Sequence, residues 1–548
     1  MPDKFLPDQP NLEQQKKQAK DLLHAHAQAE PTALDRIARH HPRLHNRPLD
    51  AIRVARIQLA DAQLVIAREH GFESWPKFAK HIETLRLSRE VASLGDPASA
   101  FIEAACSPRH GHRSGTLEEA EMILARDPQV AASSIYTAAI LADEATVRTF
   151  LSGDRSSATA KGGPLGWDAL THLCFSRYLR LDRKRSDVFV STARALLDAG
   201  ASPNTGWIEM IDYPHPRPVL EAAIYGAAAI AQHAGLTRLL LERGADPNDE
   251  ETAYHVIETY DNTVLKILLE SGRFNERSLA TALLRKCDWH DLEGLRLVLE
   301  YGAHPNYMTL WGLTALHQAM RRDNRIQMIE ILIDYRADPA LPNSEGKSAI
   351  WIAARRGRAD ALDLFEKRGT PINLTGVDAL ITGVDALIAA CARDRKETIR
   401  SLVAAEPQLK SELIDHGGTL LAEFSGVGNL AGVRNLFDLG VSVTALYREG
   451  DGYYGIAKES TALHVAAWRA RPDVVKELIN RGAPVNARDG EGRTALQLAV
   501  KACVDSYWSE LRSPESVRAL LEAGASKDGL KLPTGYDEID TLLQQRDA

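Results

Sequence analysis

"TALHVAAWRARPDVVKELINRGAPVNARDGEGRTALQLAV", residues 461–500, opens and closes on the same kind of phrase. Thr461 stands 21 residues before Gly482, and Gly482 stands 12 before Thr494 of "TALQLAV", a period of 33. The unit reads as a short helix opened by Thr, a second helix with apolar residues at helical spacing in "DVVKELIN", and a Gly-led turn. Neither helix can bury its apolar side alone, so consecutive units must stack on one another.

The 21-residue step recurs from Ser348 of "SAIWIAA" to Gly369 of "GTPIN", from Thr419 of "TLLAEFS" to Gly440, and from Thr281 of "TALLRKC" to Gly302 of "GAHPN". Thr314 of "TALHQAM" reaches Arg336 of "RADPA" in 22. With "GASPN" at Gly200 and "GADPN" at Gly244, the pattern is met about twelve times over residues 97–530. In phrase and period it resembles the ankyrin repeat. The resemblance implies an all-α fold, an ankyrin-repeat α-solenoid of helix-turn-helix repeats with hairpin fingers, preceded by a helical N-terminal segment. It also implies that the Thr and His of each helix start brace neighbouring turns, a pattern matched by Thr461/His464, Thr314/His317 and Thr252/His255. On this reading His464 belongs to the scaffold and is neither a base nor a metal ligand. Aligning "DALTHLC", "TALLRKC" and "DALIAAC" on "TALHVAA" puts Cys174, Cys287 and Cys391 in the slot of Ala467, as buried small hydrophobes.

Composition sets the outer bounds. The chain has 548 residues, 44% hydrophobic and 26% charged, and no apolar run of about 18 residues that could span a bilayer. The start, "MPDKFLPDQPNLEQQKK", has no apolar core for a secretion signal. Cys106, Cys174, Cys287, Cys391 and Cys503 are far apart, forming no CxxC or ligand pair, and suit a reducing compartment. A cytoplasmic monomer without metal or cofactor is expected. Net charge is −8; residues 1–90 carry 15 Lys+Arg against 12 Asp+Glu, which leaves −11 for the remainder. An acidic body argues against nucleic acid as a general ligand, and no membrane partner is expected.

Residues 1–90 lack the repeat period and read as a helical module, followed by the repeats over 97–530 and a C-terminal cap over 531–548. The module looks like the helical segment that precedes repeats in some bacterial ankyrin proteins. Seven of the eighteen histidines lie in it, without an acid or Cys framework for metal. Trp75 and Phe78 are expected to pack on the first repeat and cover the end of the array.

Because the scaffold is interchangeable, function should sit where the pattern breaks. Asp168 to Gly200 takes 32 residues, inserting the basic "RYLRLDRKRSD" at 177–187, and Thr494 to Gly524 takes 30. Gly440 to Thr461 takes 21 where 12 is usual, inserting "YREGDGYYGIAKES" at 447–460. "TGWIEMIDYPHPRP", 205–218, reads as a Pro-rich loop with aromatics, acids and a histidine. One finger, "NYMTLWG", carries Leu310 and Trp311 where "NARDGEG" has Gly490 and Glu491, whereas Tyr307 takes the place of Ala487 near the finger base. "TGVDALI" occurs twice in tandem, at 375–381 and 382–388, the first copy lengthening a connection.

Aromatic loop residues make interface anchors. Trp207, Tyr213, Leu310, Trp311, Tyr453 and Tyr454 are therefore the candidate partner-binding residues, with packing inside the loops as their alternative. "DWHD", Asp288 to Asp291, could hold a metal or share a proton, although Asp291 also suits a helix N-cap. The resemblance implies a protein-binding scaffold or adaptor that recognises a protein partner along a concave, finger-lined face. The alternative is an enzyme with a loop-covered acid/histidine site made from Asp212, His215, Asp288 and His290. No nucleophile motif, phosphate loop or metal-ligand spacing accompanies that quartet.

Overall fold

The computed structural model describes the chain apart from residues 1–3, 5, 8–9, 56, 93, 108–114, 213–214, 373–381, 507–510 and 545–548. It divides into two units: residues 1–209 with 220–246, and residues 210–219 with 247–548.

The first unit begins with helices Leu12–Ala27, Pro31–His40, Leu49–Arg53, Leu59–Glu69 and Trp75–Ala92. Their shared core contains Leu22, Ile37, Ile52, Val65, Ile66 and Phe78. Buried Glu69 is clamped by Lys4 at 2.6 Å and Arg36 at 2.6 Å. Burial alone would raise its pKa, but hydrogen bonds from Arg36 and Lys4 hold it below the usual carboxylate range. Two of the module's histidines are structural: His26 Nε2 meets the Ile52 carbonyl at 2.9 Å, and His41 Nε2 meets Asp61 at 3.0 Å. Phe78 lies in the module's own core, with Trp75 edge-on to it at 5.7 Å, so this pair does not serve as the expected lid. The other end of their helix approaches Glu118–Arg126, where Arg126 Nη1 donates to the Val91 carbonyl at 2.5 Å.

Helix pairs follow. Four lie in the first unit, from Pro97–Ala105 with Glu118–Arg126 to Ala223–Tyr225 with Ala234–Glu242. Eight lie in the second, from Glu251–His255 with Thr263–Glu270 to Ala495–Val504 with Glu515–Glu522. The division of labour within a pair follows from side-chain size. Every residue of Ala462–Trp468 is buried, its three alanines letting neighbouring helices approach closely. Pro472–Asn480 buries only Val474, Val475 and Leu478 and leaves its polar face to water. Thr461, Thr314, Thr494 and Ser348 are N-caps, as their phrases predict. Thr281 and Thr419 are not: their helices, Glu276–Asp288 and Gly417–Val427, begin earlier, behind Asn275 and His416.

Stacking also depends on a residue that the sequence reading passes over. Asn306 donates to the Arg336 carbonyl at 2.9 Å and accepts from the Asp338 amide at 2.7 Å, tying one turn to the next. Asn486 does the same with Gly524 and Ser526, and Asn248 with Arg273 and Asn275. The Asn that ends each of these three turn phrases, "DPN", "HPN" and "PVN", thus satisfies a carbonyl and an amide of the following turn that would otherwise lack a partner.

The insertions are ordered where they are described. The basic stretch forms Arg177–Leu181 and a turn of 3₁₀ helix at Arg183–Arg185, and three of its arginines bond to backbone carbonyls while Lys184 is exposed. Arg183 donates to the Ala231 carbonyl at 2.8 Å, Arg185 to that of Leu141 at 3.3 Å, and Arg177 to that of Ala104. Residues 206–211 and 217–222 are paired strands that overlap the stretch 205–218 expected as a loop. The first "TGVDALI" copy lies outside the described residues, and the second starts the helix Gly383–Ala392.

Candidate partner-binding site

The repeated histidine motif gives the scaffold its local geometry. His464 Nδ1 accepts from the Thr461 amide at 3.1 Å and lies 2.8 Å from its hydroxyl. With Nδ1 accepting, Nε2 carries the proton and donates to the carbonyls of Ala487 at 3.0 Å and Arg493 at 3.1 Å. Burial depresses its pKa, which keeps the ring neutral. His317 repeats the arrangement with Thr314 and the Leu341 carbonyl.

His255 departs from the expected motif. Thr252 is capped by Asp249, and His255 sits between Glu251 at 3.1 Å and Glu258 at 2.9 Å. Burial would lower its pKa, but hydrogen bonds to Glu251 and Glu258 overcome that and raise it to about 9. This histidine is a half-buried imidazolium, and the finger geometry of the other two is absent because acids flank it. The five cysteines are all buried, with Cys287 and Cys391 wholly enclosed in the slot expected for small residues. Burial pushes the Cys391 thiol up to about 12, out of the reactive range.

In the second unit the candidate residues are linked by contacts. Trp311, half-buried, leans on Tyr254 with ring centres 5.4 Å apart. Arg285 lies over Tyr254 at 4.0 Å and pairs with Asp288 at 2.5 Å. Asp288 also receives Gln318 at 2.6 Å and Arg322 at 2.6 Å. Arg322 in turn covers the ring of Tyr453 at 3.5 Å, and Tyr453 Oη donates to the Asp288 carbonyl at 3.1 Å. Next to it Tyr260 donates to the Trp289 carbonyl at 3.0 Å and stands edge-on to the Trp289 ring. Tyr260 is 68% exposed and Tyr453 44%. An aromatic and arginine strip therefore runs from the finger at Trp311 to the hairpin at 447–460, along the C-terminal ends of the first helices. Sequence reasoning missed Tyr260 and Trp289, whose only signal was their aromatic character beside a repeat turn.

The other candidates divide. Leu310 is half-buried like Trp311. Trp207 stacks on Trp167 at 4.2 Å and meets Phe175 edge-on at 4.3 Å, inside the first unit. Tyr213 lies outside the described residues. Tyr454, expected as a surface anchor, is instead buried: its ring lies under Arg469 at 4.1 Å, and its carbonyl accepts from Trp468 Nε1 at 2.6 Å. The inserted loop is large enough to need a core, and Tyr454 supplies it together with Tyr447 and Ile456.

The acid/histidine quartet does not assemble. Asp212 and His215 are exposed, and no hydrogen bond or ion pair joins either to Asp288 or His290 among the described residues. Asp288 is committed to two arginines, and His290 Nδ1 meets Asn324 at 3.1 Å. Asp291 is the N-cap of Leu292–Glu300, accepting from the Gly294 amide at 2.9 Å, and it also holds buried Lys286 at 2.6 Å. Among the described residues, no group of three or more His, Cys, Asp or Glu is placed to hold a metal ion.

Beneath the hairpin lies a charged centre. Asp323 accepts from Arg356 through both oxygens at 2.9 Å, and from Arg469 at 3.2 Å. Arg356 also approaches Glu423 at 3.4 Å and Asp451 at 3.9 Å. Tyr447 Oη donates to Glu423 at 2.9 Å. Together these groups surround a cavity of about the size of one water. Burial raises the Glu423 pKa, against the pull of Arg356.

The pattern of short buried helix, amphipathic helix and bridged turn defines a helical repeat protein. Residues 296–376 match the family described as ankyrin repeats in three copies, and residues 446–499 match ankyrin repeats in many copies. The chain thus carries ankyrin repeats over these two stretches. An ankyrin repeat domain-containing protein of Stachybotrys chartarum is 30% identical over 223 residues, which are 40% of this chain and 10% of that protein. A putative ankyrin repeat protein of Acanthamoeba polyphaga mimivirus is 41% identical over 69 residues, 12% of this chain and 16% of that one. The chain thus spans a small fraction of either curated relative. The human ASB11 ankyrin repeat domain, 21% identical, aligns over 50% of this chain and 98% of its own with a TM-score of 0.22. Among the described residues, no helix is long and apolar enough to cross a membrane.

Proposed function

We propose that the chain is a scaffold that recognises a protein partner on the first-helix, finger-lined side of its second unit. The observation that carries this reading is the strip of Tyr260, Trp289 and Tyr453 beside Arg322. Exposed aromatics and arginine dominate interface energetics, and Tyr260 has no packing reason to be 68% exposed. Leu310 and Trp311 extend the strip at its finger end, and Trp207 is a secondary contact in the first unit. A cytoplasmic monomer, divided into a helical module over 1–90, repeats over 97–530 and a cap over 531–548, accords with this use. The enzyme alternative finds no support in the quartet's placement.

The test compares affinity capture by the intact chain with capture by a Tyr260→Ala, Trp311→Ala double variant whose thermal melt matches the parent. Loss of one and the same captured protein, by tenfold or more, supports the reading. Undiminished capture overturns the assignment of the strip.

A further inference from the structure

The finger before Thr461 is an insertion, yet its stem is minimal: two residue pairs, Leu446 with Thr461 and Tyr447 with Ser460. A second bridge, Asp451 with Ile456, shapes the tip. Most of what holds the hairpin lies outside it. Arg322 covers the Tyr453 ring at 3.5 Å while the Asp288 carbonyl takes its hydroxyl at 3.1 Å. Tyr454 lies beneath Arg469 at 4.1 Å with Arg356 at 5.6 Å, and Asp451 is 3.9 Å from Arg356. The groups doing the holding stand at equivalent places, the ends of first helices, in repeats that need no insertion to present them. The seat is therefore made by the array, and the hairpin is what fills it.

We propose that Asp288, Arg322, Arg356 and Arg469 form a binding seat for a peptide segment that carries an acid followed by adjacent tyrosines, and that the chain's own residues 447–460 occupy this seat in cis. The chemistry is specific: guanidinium faces take tyrosine rings, a third guanidinium takes the carboxylate, and a carbonyl reads a tyrosine hydroxyl. A tethered occupant competes at an effective concentration in the millimolar range, so an external segment must match its contacts closely to displace it. The inference deepens the scaffold reading by naming the partner's chemistry, and it rests on that reading only for the use of the seat.

The test replaces residues 447–460 with the tip sequence of an ordinary finger, "DGEGR" of residues 489–493, in the full chain, and titrates it with a labelled peptide of residues 446–461. The shortened chain is expected to bind the peptide saturably and at least tenfold more tightly than the intact chain does. Arg322→Ala in the shortened chain, or Ala at both tyrosines of the tip in the peptide, should each weaken binding by tenfold or more. A shortened chain that melts cooperatively and binds the peptide no better than the parent overturns the proposal. Hydrogen exchange on the intact chain decides the matter if the shortened chain does not fold. The amides of Asp451 and Ile456, which bond to each other's carbonyls, exchanging at least tenfold faster once excess peptide of residues 446–461 is added show a displaceable occupant, and unchanged rates overturn it. Neither measurement uses a captured partner, so failure here leaves the capture test of the scaffold reading untouched.

Discussion

Arg469 and Asp323 are 146 residues apart in the chain and 3.2 Å apart in the fold, with each side chain only 7% exposed. Burial would push the Asp323 carboxyl up, but Arg356 and Arg469 hold it well below the ordinary range. Removing the acid takes from Arg356 and Arg469 the buried carboxylate they share and leaves Arg356 only the more distant Glu423 and Asp451. Asp323→Ala is expected to lose about 3–5 kcal/mol, read by urea unfolding. The depressed pKa places this contribution above pH 3.8; it should fade only as pH falls below that value towards the folded pKa. A melt of Asp323→Ala as stable as the parent would refute the role of the pair.

His255 should give the opposite pH dependence. Its folded pKa of about 9 lies above the ordinary 6.5, so its contribution is complete below pH 6.5 and is lost as pH rises through 9. His255→Gln should flatten the decline in stability between those values, whereas His464→Gln, whose ring is neutral throughout, should leave that slope unchanged. Thermal melts of both variants across pH 6–10 check this.

Adjacent tyrosines in one loop are expected to behave differently. Tyr454→Ala empties part of the hairpin's core and should cost about 3 kcal/mol or more. Tyr453→Ala removes an exposed ring and a guanidinium contact and should cost about 1 kcal/mol. Paired denaturation curves decide it, and equal losses would mean that the hairpin has no inside and outside.

Turn bridges predict a third kind of effect. Asn306→Ala removes one donor and one acceptor that serve the next turn, and about 1–2 kcal/mol should be lost. Asn486→Ala should lose a similar amount, and because the two residues share no partner the double variant should show the sum. A double variant no weaker than either single one would contradict independent bridges.

Much of the array was legible because its signal is local. The caps at Thr314, Thr461 and Thr494, the buried slot of Cys287 and Cys391, and the capping role of Asp291 all follow from residues within one turn of helix. His255 misled because the same letters, Thr followed by His, are read differently when Glu251 and Glu258 flank them. The Asn bridges escaped notice because Asn in a turn looks like turn chemistry alone. For the candidate site the limit was distance in sequence. Tyr453 meets Asp288 across 165 residues, and nothing local to either residue announces the other.

The brace from Asp323 to Arg469 bears on how such a chain can change length over generations. Repeat arrays ordinarily grow and shrink by copying or dropping whole units, since each unit touches only its neighbours. Between residues 323 and 469 that freedom is withdrawn, because one unit more or fewer would carry Arg469 about one repeat away from its acid. Gains and losses of whole repeats are thus tolerated only outside the braced span.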